Sequence, residues 1–268
     1  MSALPLAAFP HSNQPIAAEL NAAALAHFSR FGWCASPGFF SATEVADLLR
    51  CTEEITALPE VRGRHMLYRE ANALDADSPL IQRIENFCPH HDEFDRIVRR
   101  GRLHRAVEQL FGEPAVLFKE KINFKMPGAA GFEAHQDQQA GWSLYAPIFM
   151  TALVAIDPAT IENGCLELST MQRQSQLIGE EWKPLTEAQM AGHAFEPVPT
   201  APGDVLFFDS YVPHASKPNM TNRQRRILYL TFNQSAHGDH RAKYFADKRA
   251  SFPPDIEREP GTTYRFRV

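Results

Sequence analysis

The stretch Ala115-Val-Leu-Phe-Lys-Glu-Lys-Ile-Asn-Phe-Lys125 carries the reading of the fold. Lys119, Lys121, Asn123 and Lys125 alternate with Phe118, Ile122, Phe124 and Met126. Successive side chains of an extended chain point to opposite sides, so this period of two predicts a β-strand with one polar and one apolar face.

Downstream, further short strand-like runs fall at residues 149–156, 165–168, 204–209 and 227–233. Turn formers separate them: Pro127-Gly128, Asn163-Gly164 and Pro202-Gly203-Asp204. Short strands punctuated by turns, with little helix between, predict a mainly β fold with flanking helices, a sandwich or barrel such as a jelly roll.

Upstream, the periodicity is helical. Ser41 followed by Glu44 is a capping-box pattern, and Val45, Leu48, Leu49 and Ile55 follow at helical spacing. The Ala-rich residues 17–31 suit an earlier helix, with Gly32 as its C-cap. Phe94, Ile97 and Val98, then Leu103, Val107 and Leu110, form two stripes broken near Gly101 and closed by Gly112 and Pro114. The expected organisation is an N-terminal helical region, residues 1–114, packed on a jelly-roll core with a C-terminal extension, residues 115–268, as one structural domain.

Composition narrows the function classes. At 268 residues and 44% hydrophobic content, the chain can bury one sizeable core. A net charge of −5 offers no overall positive field to nucleic acid or anionic lipid. The first ten residues lack a basic cluster followed by an apolar segment, so no signal peptide is expected. The longest apolar stretch, residues 144–156, contains Tyr145, Pro147 and Thr151 and falls short of the roughly 20 residues that span a bilayer. Cys34, Cys51, Cys88 and Cys165 form no C-x-x-C pair and read as small buried side chains in a reducing compartment. The expectation is a cytoplasmic protein acting on a small molecule, with neither a nucleic acid nor a membrane as partner.

His135-Gln136-Asp137 places two metal-ligand types two residues apart, where an extended segment projects both to one side. His214, in Val212-Pro213-His214, supplies a third. Two histidines and one carboxylate are the ligand set of non-haem iron(II) oxygenases, and the helical H-E-x-x-H of many zinc enzymes is absent. Arg225, eleven residues after His214, stands at the threshold of a strand. A guanidinium grips a carboxylate through two parallel hydrogen bonds, which suits the far end of a 2-oxo diacid chelated to iron.

Taken together, residues 118–125, His135-Gln-Asp137, Ile161-Glu-Asn-Gly-Cys-Leu166, Pro202-Gly-Asp204, His214 and Arg225 resemble the phytanoyl-CoA dioxygenase family of iron(II) and 2-oxoglutarate enzymes. The resemblance runs through residues 115–233 and implies a double-stranded β-helix core. It implies Fe(II) on His135, Asp137 and His214, and 2-oxoglutarate on Arg225 with further contacts from Asn123 and Thr151. It also implies O2 as oxidant, with succinate and carbon dioxide as co-products. The carboxylate of Asp137 favours hydroxylation, since halogenating relatives lack it. The chain departs from the usual pattern at Ser169-Thr-Met-Gln172, where many members carry a Pro-Gly-Ser-His type turn bordering the pocket.

For substrate, the Lys- and Glu-rich strand and the compact size are similar to family members acting on small zwitterions, including aminoalkylphosphonates. A tailoring hydroxylase of an amino acid or secondary metabolite is equally compatible, and a non-catalytic jelly-roll binding protein or a cupin-like enzyme without 2-oxoglutarate stands as the alternative. Arg62, Arg64, His65, Tyr68, Arg69, Arg83, Glu85 and Asn86 are further polar residues suited to a charged ligand, and Gln138, Gln139 and Trp142 are expected near the pocket.

Overall fold

Residues 115–125 form the longest strand among the described residues, and its two faces have different jobs. The computed structural model describes residues 19–72 and 77–264. In chain order these form α1 (Ala22–Phe31), β1 (Trp33–Ser36), α2 (Ala42–Thr56), β2 (Met66–Glu70), β3 (Leu80–Glu85), α3 (Asp92–Arg99), α4 (Arg102–Phe111) and β4 (Ala115–Lys125). There follow β5 (Phe132–His135), β6 (Met150–Ala155), β7 (Leu166–Ser169), β8 (Phe195–Val198), β9 (Val205–Asp209), β10 (His214–Ser216), β11 (Arg225–Gln234) and α5 (Arg241–Ser251).

The strands make two antiparallel sheets, ordered β1-β9-β6-β11-β4-β3-β2 and β5-β10-β7-β8. This is the jelly roll expected from the strand runs. On the outer face of the large sheet, Ile122, Phe124, Val154, Phe207, Leu228 and Leu230 share one core with Phe28, Leu48, Phe94 and Val107 of the helices. Residues one position along each strand point inward instead. Leu153, Leu206, Phe208 and Ile227 meet Leu166 and Leu168 of the small sheet at one end, while Lys119, Lys121, Asn123, Thr151 and Thr231 line a cavity. The polar face of β4 is therefore an interior face, because the helices already cover the other one.

The helix signals hold in detail. Ser41 and Glu44 form a reciprocal capping box on α2, and Gly32 closes α1 in the left-handed conformation at φ 78°. The first helix begins after Asn21, which caps it; residues 17–18 of the expected helix, and the residues read for a signal peptide, lie outside the described residues. The region expected to be helical also carries β1, β2 and β3, which extend the large sheet at both of its ends. The runs there, Trp33–Ser36, Met66–Glu70 and Leu80–Glu85, do not alternate strictly between apolar and polar residues, so no period of two registers.

A bulge interrupts β4: Thr231 pairs with Lys119 and Phe232 with Leu117, leaving Phe118 as the extra residue. Its ring packs against Trp142, Phe149 and Tyr244, with centroids 5.6, 4.5 and 4.5 Å away. Glu120 faces the helices as a fully buried carboxylate. Arg241 neutralises it, with Nε donating at 3.0 Å, and the Cys88 amide donates a further 3.0 Å bond.

Candidate active site

The pairing of β5 with β10 puts His135 directly opposite His214, with ring centroids 4.3 Å apart. β5 ends at His135, and Asp137 opens a short 3-10 turn after the extended Gln136. Gln136 anchors this corner. Its Nε2 donates to the Tyr211 and Gln176 carbonyls at 2.7 and 3.1 Å, and its Oε1 accepts from the Ile178 amide at 2.7 Å. Ligand atoms of His135, Asp137 and His214 all lie within 4.8 Å of one another.

The donor set suits a divalent metal. The Nδ1 atoms of His135 and His214 sit 2.8 and 2.9 Å from the carbonyls of Glu133 and Val212. A carbonyl accepts only, so Nδ1 carries the proton and each Nε2 keeps its lone pair for a metal. Burial holds both imidazoles below their usual pKa, His135 at about 3 with His214 adding to the effect on it. Burial works against the Asp137 carboxylate, but His214, Lys119, Lys121 and His135 outweigh it and keep it ionised. Two neutral imidazoles and one carboxylate are the protonation state in which such ligands bind metal. Thr151 Oγ1 donates to Asp137 Oδ2 at 3.4 Å and lies 3.1 Å from Thr231 Oγ1, so Thr151 supports the carboxylate as well as lining the cavity.

A second cluster among the described residues, Cys51, Glu54 and His91, does not have that character. His91 Nδ1 caps α3 by accepting from the Phe94 amide at 3.1 Å, so its Nε2 carries the proton and donates to Glu54 at 2.8 Å. No imidazole lone pair is left over.

The triad opens on a cavity of about 760 Å³. Lys119 and Lys121 project into it from β4, the first 4.1 Å from the Trp142 ring and the second 4.8 Å from the Tyr229 ring. Burial pushes the pKa of both ammonium groups down, well down for Lys119, on which Lys121 also acts. Glu85, on the same wall, is already neutralised by Lys248 at 2.5 Å and Arg83 at 2.9 Å. Arg225 is buried at the start of β11, its Nη1 bonded to the Gly164 carbonyl and its Nε without a partner. Asn123 lines the cavity, and its Oδ1 is likewise unpartnered. Arg225 is not itself among the residues lining the cavity, whereas the open Asn123 Oδ1 shares it with the candidate metal ligands; a buried polar atom left open is one that a bound ligand or water satisfies.

The polar residues singled out from sequence divide. Arg83, Glu85 and Trp142 line the cavity. Gln138 and Gln139 are committed elsewhere: Gln139 ties the Glu180 and Lys183 carbonyls at 2.7 Å each, and Gln138 donates to the Ala146 carbonyl. Arg69 pairs with Glu60, the Asn86 side chain accepts from Arg241, and the Tyr68 hydroxyl donates to the Phe252 carbonyl. Ser169 to Gln172 are not among the lining residues, whereas Trp182 and Leu166 are. Sequence reading passed over Lys119, Lys121, Tyr229, Thr231, Tyr244 and Lys248 as site residues. Only the inward direction of β4 and β11 reveals the first four, and only the packing of α5 against the cavity reveals Tyr244 and Lys248.

The sequence profile of the phytanoyl-CoA dioxygenase family matches residues 28–227, most of the chain, with His135, Asp137, His214 and Arg225 inside the match. The chain belongs to the phytanoyl-CoA dioxygenase family. It is similar to a 2-aminoethylphosphonate dioxygenase of the uncultured bacterium HF130_AEPn_1, 37% identical over 85% of this chain and 87% of that protein. It is also similar to a methylphosphonate hydroxylase of Gimesia maris, 38% identical over 85% of this chain and 86% of that one. Among solved structures, EctD from S. alaskensis in its apoform shares the fold, with a TM-score of 0.69 at 21% identity, covering 85% of this chain and 81% of that one. The family and these relatives make the chain a non-haem iron, 2-oxoglutarate-dependent dioxygenase. Consistent with the sequence reading, all four cysteines are free and buried. No helix among the described residues is long and apolar enough to cross a membrane.

Proposed function

We propose that this dioxygenase hydroxylates a small phosphonate at the carbon bonded to phosphorus. His135, Asp137 and His214 would hold Fe(II), and Arg225 would take the far carboxylate of 2-oxoglutarate, with Asn123 and Thr151 alongside. The bound metal and co-substrate supply the oxidising chemistry. In balance, substrate C–H, 2-oxoglutarate and O2 become substrate C–OH, succinate and carbon dioxide.

One observation carries the substrate class: buried Lys119 and half-buried Lys121 present two ammonium groups to the cavity near Asp137, and no carboxylate forms an ion pair with either among the described residues. Asp137 and Glu85 act on both ammonium groups without pairing with them, and burying cations with no paired counter-charge carries a cost that a doubly charged phosphonate offsets. The names of the relatives at 37% and 38% identity point the same way. Charge at Lys119 and Lys121 would fix the anionic end, and Trp142, Tyr145 and Tyr244 would exclude water from the remainder of the substrate. The free cysteines fit a cytoplasmic setting.

The test is succinate release and phosphorus NMR with Fe(II), ascorbate and 2-oxoglutarate. Methylphosphonate and 2-aminoethylphosphonate are compared with acetate and β-alanine. Succinate formed one-for-one with a hydroxylated phosphonate supports the proposal. Coupled turnover of the carboxylates alone would point to an amino-acid or other tailoring hydroxylase, and no succinate with any compound would return the binding-protein reading.

A further inference from the structure

We propose that Trp182 is a specificity-determining residue: its indole forms a fixed wall at the mouth of the cavity, which admits a phosphonate on a short chain and rejects one that carries a bulky group. The proposal rests on the phosphonate reading and deepens it by setting a limit of size.

Strand β7 ends at Ser169 and β8 begins at Phe195, and residues 170–194 between them carry neither helix nor strand. A connection of that length is uncommon in a compact domain and is usually a functional loop. This one reaches the cavity through Trp182. Trp182 and Leu144 line the cavity while remaining 42% and 81% exposed, so they stand at its mouth; Trp142, at 1%, lies deep.

Trp182 has φ 65°, and Asn86 is the only other non-glycine residue with a positive φ among the described residues. A bulky side chain on left-handed backbone is strained, and such strain persists where the surroundings overdetermine the conformation. Here Gln139 does so. The Trp182 amide donates to the Gln139 carbonyl at 2.8 Å, and Gln139 Nε2 donates to the carbonyls of Glu180 and Lys183 at 2.7 Å each. Gln139 is itself fully buried, its Oε1 accepting from the Gln136 amide at 2.8 Å. Gln136 and Gln139 stand before and after Asp137, so the wall is fixed to the corner that carries the candidate metal ligands.

Gly141 completes the seat. It has φ 72°, and a Cβ there would overlap Cζ2 of the Trp182 indole and stand 2.9 Å from its Cη2. The six-membered ring therefore occupies the place of a side chain at 141. With packed backbone behind it, the indole has no room to retreat from a larger substrate.

The competing explanation is that Trp182 only pins residues 170–194 to this corner, which predicts one common loss for all substrates. Methylphosphonate and cyclohexylmethylphosphonate separate the two, since both offer a C–H bond on the carbon bonded to phosphorus and differ in bulk. Coupled succinate release gives kcat/KM for each, and calorimetric titration of the full chain loaded with Zn(II) and 2-oxoglutarate gives each affinity without turnover. Trp182→Ala is expected to raise the bulky-to-small ratio at least about 10-fold in both measurements. Trp182→Phe, a smaller ring on the same backbone, should give an intermediate ratio. A ratio within about twofold of wild type in Trp182→Ala, as from equal loss for both compounds, overturns the proposal. So does a wild-type chain that takes the two equally well. Binding of neither compound removes the phosphonate reading, and this proposal with it.

Discussion

His214 lies directly across the strand pair from His135, and each imidazole is held through Nδ1 by the carbonyl two residues before it, Val212 and Glu133 respectively, which leaves Nε2 open toward the cavity shared with Asp137. Three ligands brought together by two short strands and one turn depend on the sheet for their placement. The sheet does not depend on them, because His135 and Asp137 are only half-buried cavity residues.

His135→Ala and Asp137→Ala are accordingly expected to reduce succinate formation to background while the circular dichroism spectrum is kept. Iron content, measured on the same samples, should fall with activity. Full turnover in either variant would contradict the assignment.

Lys119→Met and Lys121→Met should separate binding from folding. Losing a charged hydrogen-bond partner costs about 1.5–3 kcal/mol, so KM for the phosphonate is expected to rise by roughly 10- to 100-fold. Thermal stability without ligand should stay level or increase, since an apolar side chain replaces a buried, uncompensated ammonium. A KM change below twofold in both variants would remove the lysines from substrate recognition.

Glu120→Ala tests a buried ion pair with no part in the cavity. It leaves Arg241 and the Cys88 amide without their acceptor, and breaking such a pair costs roughly 3–5 kcal/mol. Urea denaturation should show that loss. A shift under about 1 kcal/mol would mean that Arg241 finds another partner or water.

The buried lysines set an unusual pH response. Burial lowers Lys125 to about 7, with Arg225 adding to the effect, and lowers Lys248 to about 8, whereas unfolded lysine titrates near about 10.4. Above pH 7 the folded chain therefore releases protons that the unfolded chain keeps, so stability rises with pH. Burial pushes Cys34 up to about 12 and Cys88 well above its ordinary value. From about pH 8.5 the unfolded thiols lose protons that the folded ones retain, which opposes the rise. The melting temperature of the ligand-free protein should climb between about pH 7 and 8.5. A falling melting temperature across that window would contradict the assigned burial.

How much of this was readable before folding follows from range. Ser41 and Glu44 sit three residues apart and cap one helix, and the alternation from Lys119 to Lys125 spans a single strand; both are local and both were legible. β5 and β10, at four and three residues, carry two of the three proposed metal ligands yet show no period of their own. Those ligands were found through chemistry, as a histidine two residues from an aspartate and a second histidine ahead of an arginine.

The sequence by itself therefore determined the helices before residue 115, the longer strands within 115–233, the family pattern and the candidate ligand side chains, because each rests on spacing within a few residues or on residue type. Only the tertiary structure decided which way the polar face of β4 points. Helices packed on Ile122 and Phe124 leave Lys119, Lys121 and Asn123 no direction but the interior, and a distant strand brings Arg225 against Lys125. Alternation fixes that two faces differ; which one is enclosed depends on what packs against the sheet from elsewhere in the chain.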